Sequence, residues 1–268
     1  MSIKFANSNL RIDYDKMGKR SASSTNGSTD SDRRWSDLNL MDCSTASFAS
    51  NVSSSQSGSE RRCISLLKRC EFLGYNKVAF CHGAFGKLNP ARDSLDKAFP
   101  FVLDSTRGNT SVFKRINVVV EELEDLNIFA EGPAISNEIV SLSEEKKLRE
   151  AREILNEYDI VSVTPLNEST FSAACVSAHG ADIIVLDHSS ARGGRLPFAL
   201  RSKELQSASE LGIAFEICYG PFIVDPTSNR RKSFIQTLKY FMHASLNVRP
   251  KPVLILSSGS RMNPENKG

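Results

Sequence analysis

The chain has 268 residues, of which 40% are hydrophobic and 24% charged; that is enough to build one large domain or two small ones around a substantial core. No apolar run approaches the roughly 20 residues of a membrane helix, and Met1–Phe5 lacks the apolar segment of a secretory signal, so an intracellular protein is expected. Six cysteines without any C-x-x-C pair argue against a disulfide framework or a zinc ribbon and lead us to expect free thiols.

The net charge of +3 is unevenly spread. Residues 190–268 carry 12 Lys and Arg against 5 Asp and Glu, a surplus of 7 that leaves the rest of the chain at −4. A basic C-terminal third on a nearly neutral chain fits one electropositive face that meets a polyanion. A solvated surface with uneven charge gives the same pattern, so charge alone does not decide.

In chain order, the first strand candidate is Ile3–Phe5, within an opening segment 1–17. Residues 18–59 are dominated by Ser, Thr, Asn and Asp and bury too little apolar surface to offset their ordering entropy, so they read as a disordered insert. Trp35 and Phe48 stand alone in it. Arg33-Arg34-Trp35-Ser36 reads as a phosphorylation or docking spot or as a stray solvated cluster. Further strands are predicted at Lys77–Cys81, Phe113–Glu121, Asp159–Val163, Asp182–Leu186, Ile213–Ile217 and Pro252–Ser257. Ile183–Leu186 and Val253–Leu256 are continuously apolar, as strands covered on both faces tend to be.

Helical signals fall between them. Ser141-Leu142-Ser143-Glu144 resembles a capping box, followed by a face of Leu148, Ala151, Leu155 and Tyr158. Asn167–Ala178 reads as another helix. Asp225-Pro226 suits the N-cap and first position of a long helix with an apolar stripe of Phe234, Leu238, Phe241 and Met242. This alternation predicts an α/β fold: a TIM-barrel-like barrel of about seven parallel strands. It spans 60–258 with the first strand in 1–17. No eighth strand is visible, residues 259–268 read as a disordered tail, and the barrel is expected to be incomplete at the C-terminus.

Barrel chemistry sits at the C-terminal ends of strands. There the sequence offers Cys81-His82, Asp187-His188-Ser189-Ser190 and Ser257-Ser258-Gly259. An Asp, His and Ser in immediate succession cannot form a triad, which is a spatial arrangement, and four histidines are few for a metal centre.

The basic segments read better as phosphate contacts. Arg230, Arg231 and Lys232 occupy the first turn of the long helix, where the macrodipole disfavours cations unless an anion is bound. Arg192 and Arg195 flank a Gly-Gly loop after the fifth strand, Arg201 follows it, and Lys114 and Arg115 begin the third strand. With Ser257 and Ser258 they form the candidate RNA-binding set, and no catalytic or metal-binding residue is assigned. Glu216, interrupting an apolar strand, must face a basic partner or water. Tyr219 and Phe198 could stack on bases, with core packing the better reading for Phe198.

Taken together, Phe5–Arg11, Leu73–His82, Tyr158–Val163, Ala181–Val185, Leu196-Pro197-Phe198, Gly212–Pro221, Arg230-Arg231-Lys232 and Ser257-Ser258-Gly259 resemble, in order and spacing, the thirty-kilodalton TIM-barrel-like protein subunit of archaeal and eukaryotic ribonuclease P. The resemblance implies a PHP-like barrel that binds the catalytic RNA of ribonuclease P and of RNase MRP. It also implies a small ferredoxin-like protein partner, indirect contact with precursor tRNA, no membrane association and nuclear, nucleolar placement. Cleavage of 5′ leaders would belong to the RNA and its Mg²⁺, with no cofactor bound by the protein. The alternative is a PHP-like metal-dependent phosphoesterase, whose His-x-His pair would fall near Asn7 and Asn9 and whose remaining ligand position would be His82. A scaffold working through the Ser-rich insert is a third reading.

Overall fold

The computed structural model describes residues 2–3, 12–13, 35–41, 56–99, 106–107, 110–130, 142–187, 195–224 and 228–259. Two short strands, β1 (Ser2–Ile3) and β2 (Ile12–Asp13), pair antiparallel apart from the rest. The main sheet contains β3 (Trp35–Met41), β4 (Tyr75–Phe85), β6 (Thr110–Val120), β7 (Ile160–Pro165), β8 (Ile183–Val185), β9 (Ala214–Cys218) and β10 (Leu254–Ser257), hydrogen-bonded in that order. Every neighbouring pair in this row is parallel. A two-residue strand β5 (Thr106–Arg107) runs antiparallel to the start of β6.

The strand order follows the chain order, so each crossover places its helix on one side and the sheet curls. Its edge strands β3 and β10 approach within 8 Å, Cα to Cα, yet no ladder joins them among the described residues. This is an incomplete TIM-barrel-like fold, as expected.

The strand beside β4 is β3 rather than Ile3–Phe5, and it lies inside the stretch expected to be a disordered insert. Composition averaged over 18–59 hides the local alternation of Asp37-Leu38-Asn39-Leu40, which a strand satisfies at period two. The remainder of the expected insert up to 55, and the tail from 260, lie outside the described residues.

The helices are α1 (Gln56–Phe72), α2 (Pro90–Asp93), α3 (Leu95–Ala98), α4 (Leu142–Asn156), α5 (Glu168–Ser177), α6 (Ser202–Glu210), α7 (Gly220–Val224) and α8 (Ser228–Ala244), with a 3₁₀ turn at Leu123–Ile128. Local chemistry sets several ends. Asn167 caps α5, its side chain accepting from Thr170 N–H while the Thr170 hydroxyl accepts from the Asn167 N–H. Gly74, at φ +84°, reverses the chain between α1 and β4, a conformation glycine adopts without a Cβ penalty. The capping residues proposed at Ser141 and at Asp225-Pro226 lie outside the described residues.

The main core lies between the helices and the outward face of the sheet. It includes Phe80, Ile116, Val118, Val163, Phe171, Ile184, Phe215 and Phe241. Phe198 packs there, its ring 4.3 Å from that of Phe171, as its core reading anticipated. Met242 differs from expectation: at 56% exposed it faces away from the stripe that Phe241 anchors. Cys63 is disulfide-bonded, correcting the expectation of six free thiols, whereas Cys70, Cys81, Cys175 and Cys218 are free.

Candidate nucleic-acid interface

Register determines what the barrel interior contains. Phe113, Ile160, Ile183 and Ala214 form an apolar layer with Ala79 towards the strand starts. Beneath it, carboxylates tie neighbouring strands together. Asp159 Oδ2 accepts from Lys114 N–H at 2.8 Å, and Asp182 Oδ2 accepts from Val161 N–H at 2.8 Å. The two Asp-Ile pairs that open β7 and β8 thus play the same role.

One step further along the strands the interior turns polar. Arg115 Nη1 and Nη2 donate to Glu216 Oε1 and Oε2 at 2.9 and 2.6 Å, a two-point pair that crosses the barrel from β6 to β9. Arg115 Nε donates to Ser162 Oγ at 2.9 Å. Both charged side chains are wholly buried. Burial opposes the Arg115 charge, but Glu216 outweighs it and holds the guanidinium above its ordinary range. The expectation that Glu216 needs a basic partner is therefore met, and Arg115 is the partner. Arg115, expected as an RNA contact, is instead a wholly buried ion-pair partner, because its odd position on β6 points into the barrel.

At the C-terminal mouth stand Asn117, Thr164, Cys218 and Ser257. Asn117 Oδ1 accepts from the Ser162 and Thr164 hydroxyls, each at 3.0 Å. Cys218 Sγ and Ser257 Oγ are 3.5 Å apart. Burial first, and then the Glu216 carboxylate, push the Cys218 thiol well above its usual range, with Asp187 adding to the effect. The ends of β9 and β10 are locked together. Tyr219 N–H donates to Ser257 C=O and Gly220 N–H to Ser258 C=O, and a Cβ at Gly220 would sit 2.1 Å from that Ser258 oxygen. Ser257 is buried at this junction and Ser258 half-buried, so Ser257 is a wall residue instead of an exposed phosphate contact.

The other described cations of the candidate set lie outside the barrel interior. Arg230, Arg231 and Lys232 lie exposed in the first turns of α8, and Arg195 is exposed in the segment between β8 and α6. Arg201, at the N-cap of α6, is ion-paired with Glu168 and Glu204, which partly neutralises it. Lys114 is separate: it sits half-buried near the opposite end of β6. Arg192 lies outside the described residues. The structure thus gathers Arg195, Arg201, Arg230, Arg231 and Lys232 on the C-terminal side of the barrel and leaves Lys114 and Arg115 out.

His82 faces the helix layer, not the barrel mouth. Its Nε2 donates to Asp93 Oδ1 at 3.0 Å, and its ring stacks on Tyr158. Burial would raise the Asp93 carboxyl, but bonds from His82, Arg92 and the Asn89 N–H outweigh it and hold the group well below the usual carboxylate range. This position contradicts His82 as a ligand of a barrel-mouth metal. Among the described residues, no group of three His, Cys, Asp or Glu converges to hold a metal ion. No described helix is long and apolar enough to cross a membrane.

The described residues thus define an incomplete parallel α/β barrel with Arg195, Arg230, Arg231 and Lys232 exposed beside the C-terminal ends of its strands. The family model that matches is the RNase P subunit p30 family, over residues 138–267, the part containing β7 to β10 and the cationic rim. The chain is also similar to three named proteins. One is the mouse ribonuclease P protein subunit p30, 26% identical over 62% of this chain and 55% of that protein. Another is the Dictyostelium discoideum ribonuclease P protein subunit drpp30, 25% identical over 69% of this chain and 46% of that protein. The third is the Arabidopsis thaliana protein GAMETOPHYTE DEFECTIVE 1, 29% identical over 46% of this chain and 19% of that protein. The chain therefore spans about half, or less, of the length of these relatives. What these matches show is that the chain is similar, chiefly over its C-terminal half, to p30-type protein subunits of ribonuclease P.

Sequence reasoning missed Asn117, Ser162 and Thr164. The signal was present as polar residues at alternate positions of otherwise apolar strands, the same signal that singled out Glu216.

Proposed function

We propose that this chain is a non-catalytic, RNA-binding protein subunit of ribonuclease P, supporting removal of 5′ leaders from precursor tRNA. The observation that carries this reading is that the part of the chain matching the p30 family also carries Arg195, Arg230, Arg231 and Lys232, exposed at one end of the barrel. In this reading the rim cations contact the backbone of a structured RNA, which is recognised by shape and phosphate position without a base-reading motif. Phosphodiester cleavage belongs to the RNA with its Mg²⁺, and the protein binds no cofactor. Its partners are the catalytic RNA of ribonuclease P and of RNase MRP together with a small ferredoxin-like protein subunit, precursor tRNA is met indirectly, and the site of action is the nucleus and nucleolus.

The test is to purify the tagged protein from its own cells and assay the eluate on a precursor tRNA. Co-purification of one or two abundant structured RNAs with 5′-leader cleavage that disappears on ribonuclease treatment is the expected result. An eluate without RNA and without processing activity would refute the assignment.

A further inference from the structure

The barrel mouth carries a feature that phosphate binding does not use. Gly83 on β4 lies directly opposite Asn117 on β6 in register, on the interior side of the sheet, and it is exposed. A Cβ added at Gly83 would meet no described atom within 4 Å. Among the described residues the interior is thus open beside Asn117, although Asn117 is itself only 9% exposed. Its oxygen accepts from the Thr164 hydroxyl and stands 3.0 Å from the Ser162 hydroxyl, whose single proton is shared with the Ile116 carbonyl. The Nδ2 group is the one left to meet a visitor, as a donor seeking an acceptor.

From this arrangement we infer that the mouth bounded by Gly83, Asn117, Thr164 and Asp187 takes one unstacked nucleobase from a single-stranded segment of RNA, with Asn117 Nδ2 donating to a base carbonyl. The inference rests on the RNA-binding reading above and assigns it a second, base-holding element. A phosphate is the wrong occupant. Among the described residues the cation on this inner wall is Arg115, and it is already held by Glu216 at two points. A neutral base suits the site, since its N–H groups can donate to hydroxyl or carboxylate oxygens while its carbonyl accepts. The missing side chain at Gly83 provides the room, and the rim arginines Arg195 and Arg231 stand on the same barrel end for the flanking phosphates. Extruded bases are commonly read by hydrogen bonds to their edges in pockets of this kind.

The experiment compares the affinity of the full chain for a structured RNA with a single-stranded loop and for the same RNA whose loop bases are replaced by abasic residues. The intact RNA is expected to bind about 10-fold more tightly, with an equal dependence on salt for both. Gly83→Leu, which fills the mouth, is expected to abolish that preference while leaving abasic binding unchanged. Asn117→Asp keeps an oxygen for Ser162 and Thr164 but removes the donor, and is expected to do the same, which guards against misfolding of the first variant. Arg230→Ala with Arg231→Ala should weaken both RNAs equally. Equal binding of intact and abasic RNA by the unmodified chain, or a preference that survives both mouth variants, overturns the inference and leaves the RNA-binding reading standing. Binding of neither RNA overturns both.

Discussion

Two basic segments look alike in the sequence and have opposite fates in the fold. Lys114-Arg115 lies on a central strand, where the pleat sends alternate side chains to opposite faces. Arg115 therefore enters the barrel and meets Glu216, while Lys114 is left half-buried on the other face near the strand start. Arg230-Arg231-Lys232 lies on the first turns of an outer helix, where three successive residues spread around solvent-facing arcs and all stay exposed. The lesson is that a run of cations indicates a binding face only when the element carrying it is peripheral. Inside a parallel sheet the same residues are more usefully read for an opposite charge at a matching register.

The comparison can be broken most forcefully at the buried pair. Glu216→Leu should destabilise the protein by about 3–5 kcal/mol, because it leaves Arg115 charged and uncompensated in the core. Adding Arg115→Met should recover most of that loss, whereas an exposed RNA contact would show no such coupling; urea denaturation of the single and double variants reads the difference. Asp93→Asn comes next, with an expected loss of about 1–3 kcal/mol from weakening its bonds to His82 and Arg92. Its pH dependence has a definite sign. The folded carboxyl lies below its unfolded value of about 3.9, so its stabilisation is fully present above that pH and declines as the pH falls below it. Thermal melts between pH 6 and pH 3, values of about that range chosen around the unfolded pKa, should show a shallower decline for Asp93→Asn than for the unmodified chain.

A smaller effect is expected at the rim. Arg230→Ala with Arg231→Ala should leave the melting temperature nearly unchanged, weaken RNA binding, and lower the slope of log affinity against log salt by about two. An unchanged slope would remove these residues from the interface. Lys114→Ala should be the mildest, within about 0.5 kcal/mol in stability and without effect on the salt slope.

Much of the barrel was legible because parallel strands covered on both faces are continuously apolar, and Ile183–Val185 and Leu254–Ser257 fall inside the predicted runs. Glu216 was legible for the complementary reason: a carboxylate in such a run demands a partner. Which cation it demands depends on strand order, and Arg115 stands 101 residues away in the chain. β3 was hidden because its short alternation is diluted by the Ser-rich residues around it. The mouth residues Asn117 and Thr164 escaped because isolated polar positions in mostly apolar strands name no partner by themselves. They acquire meaning only when register sets them side by side.

Crosslinking the protein to RNA with ultraviolet light in its own cells, and mapping the modified peptides, tests the central claim most directly. The cationic rim account predicts adducts on peptides carrying Arg195 and Arg230–Lys232, with the peptide containing Lys114 and Arg115 unmodified. Adducts concentrated on the β6 peptide, with the rim peptides free, would contradict it.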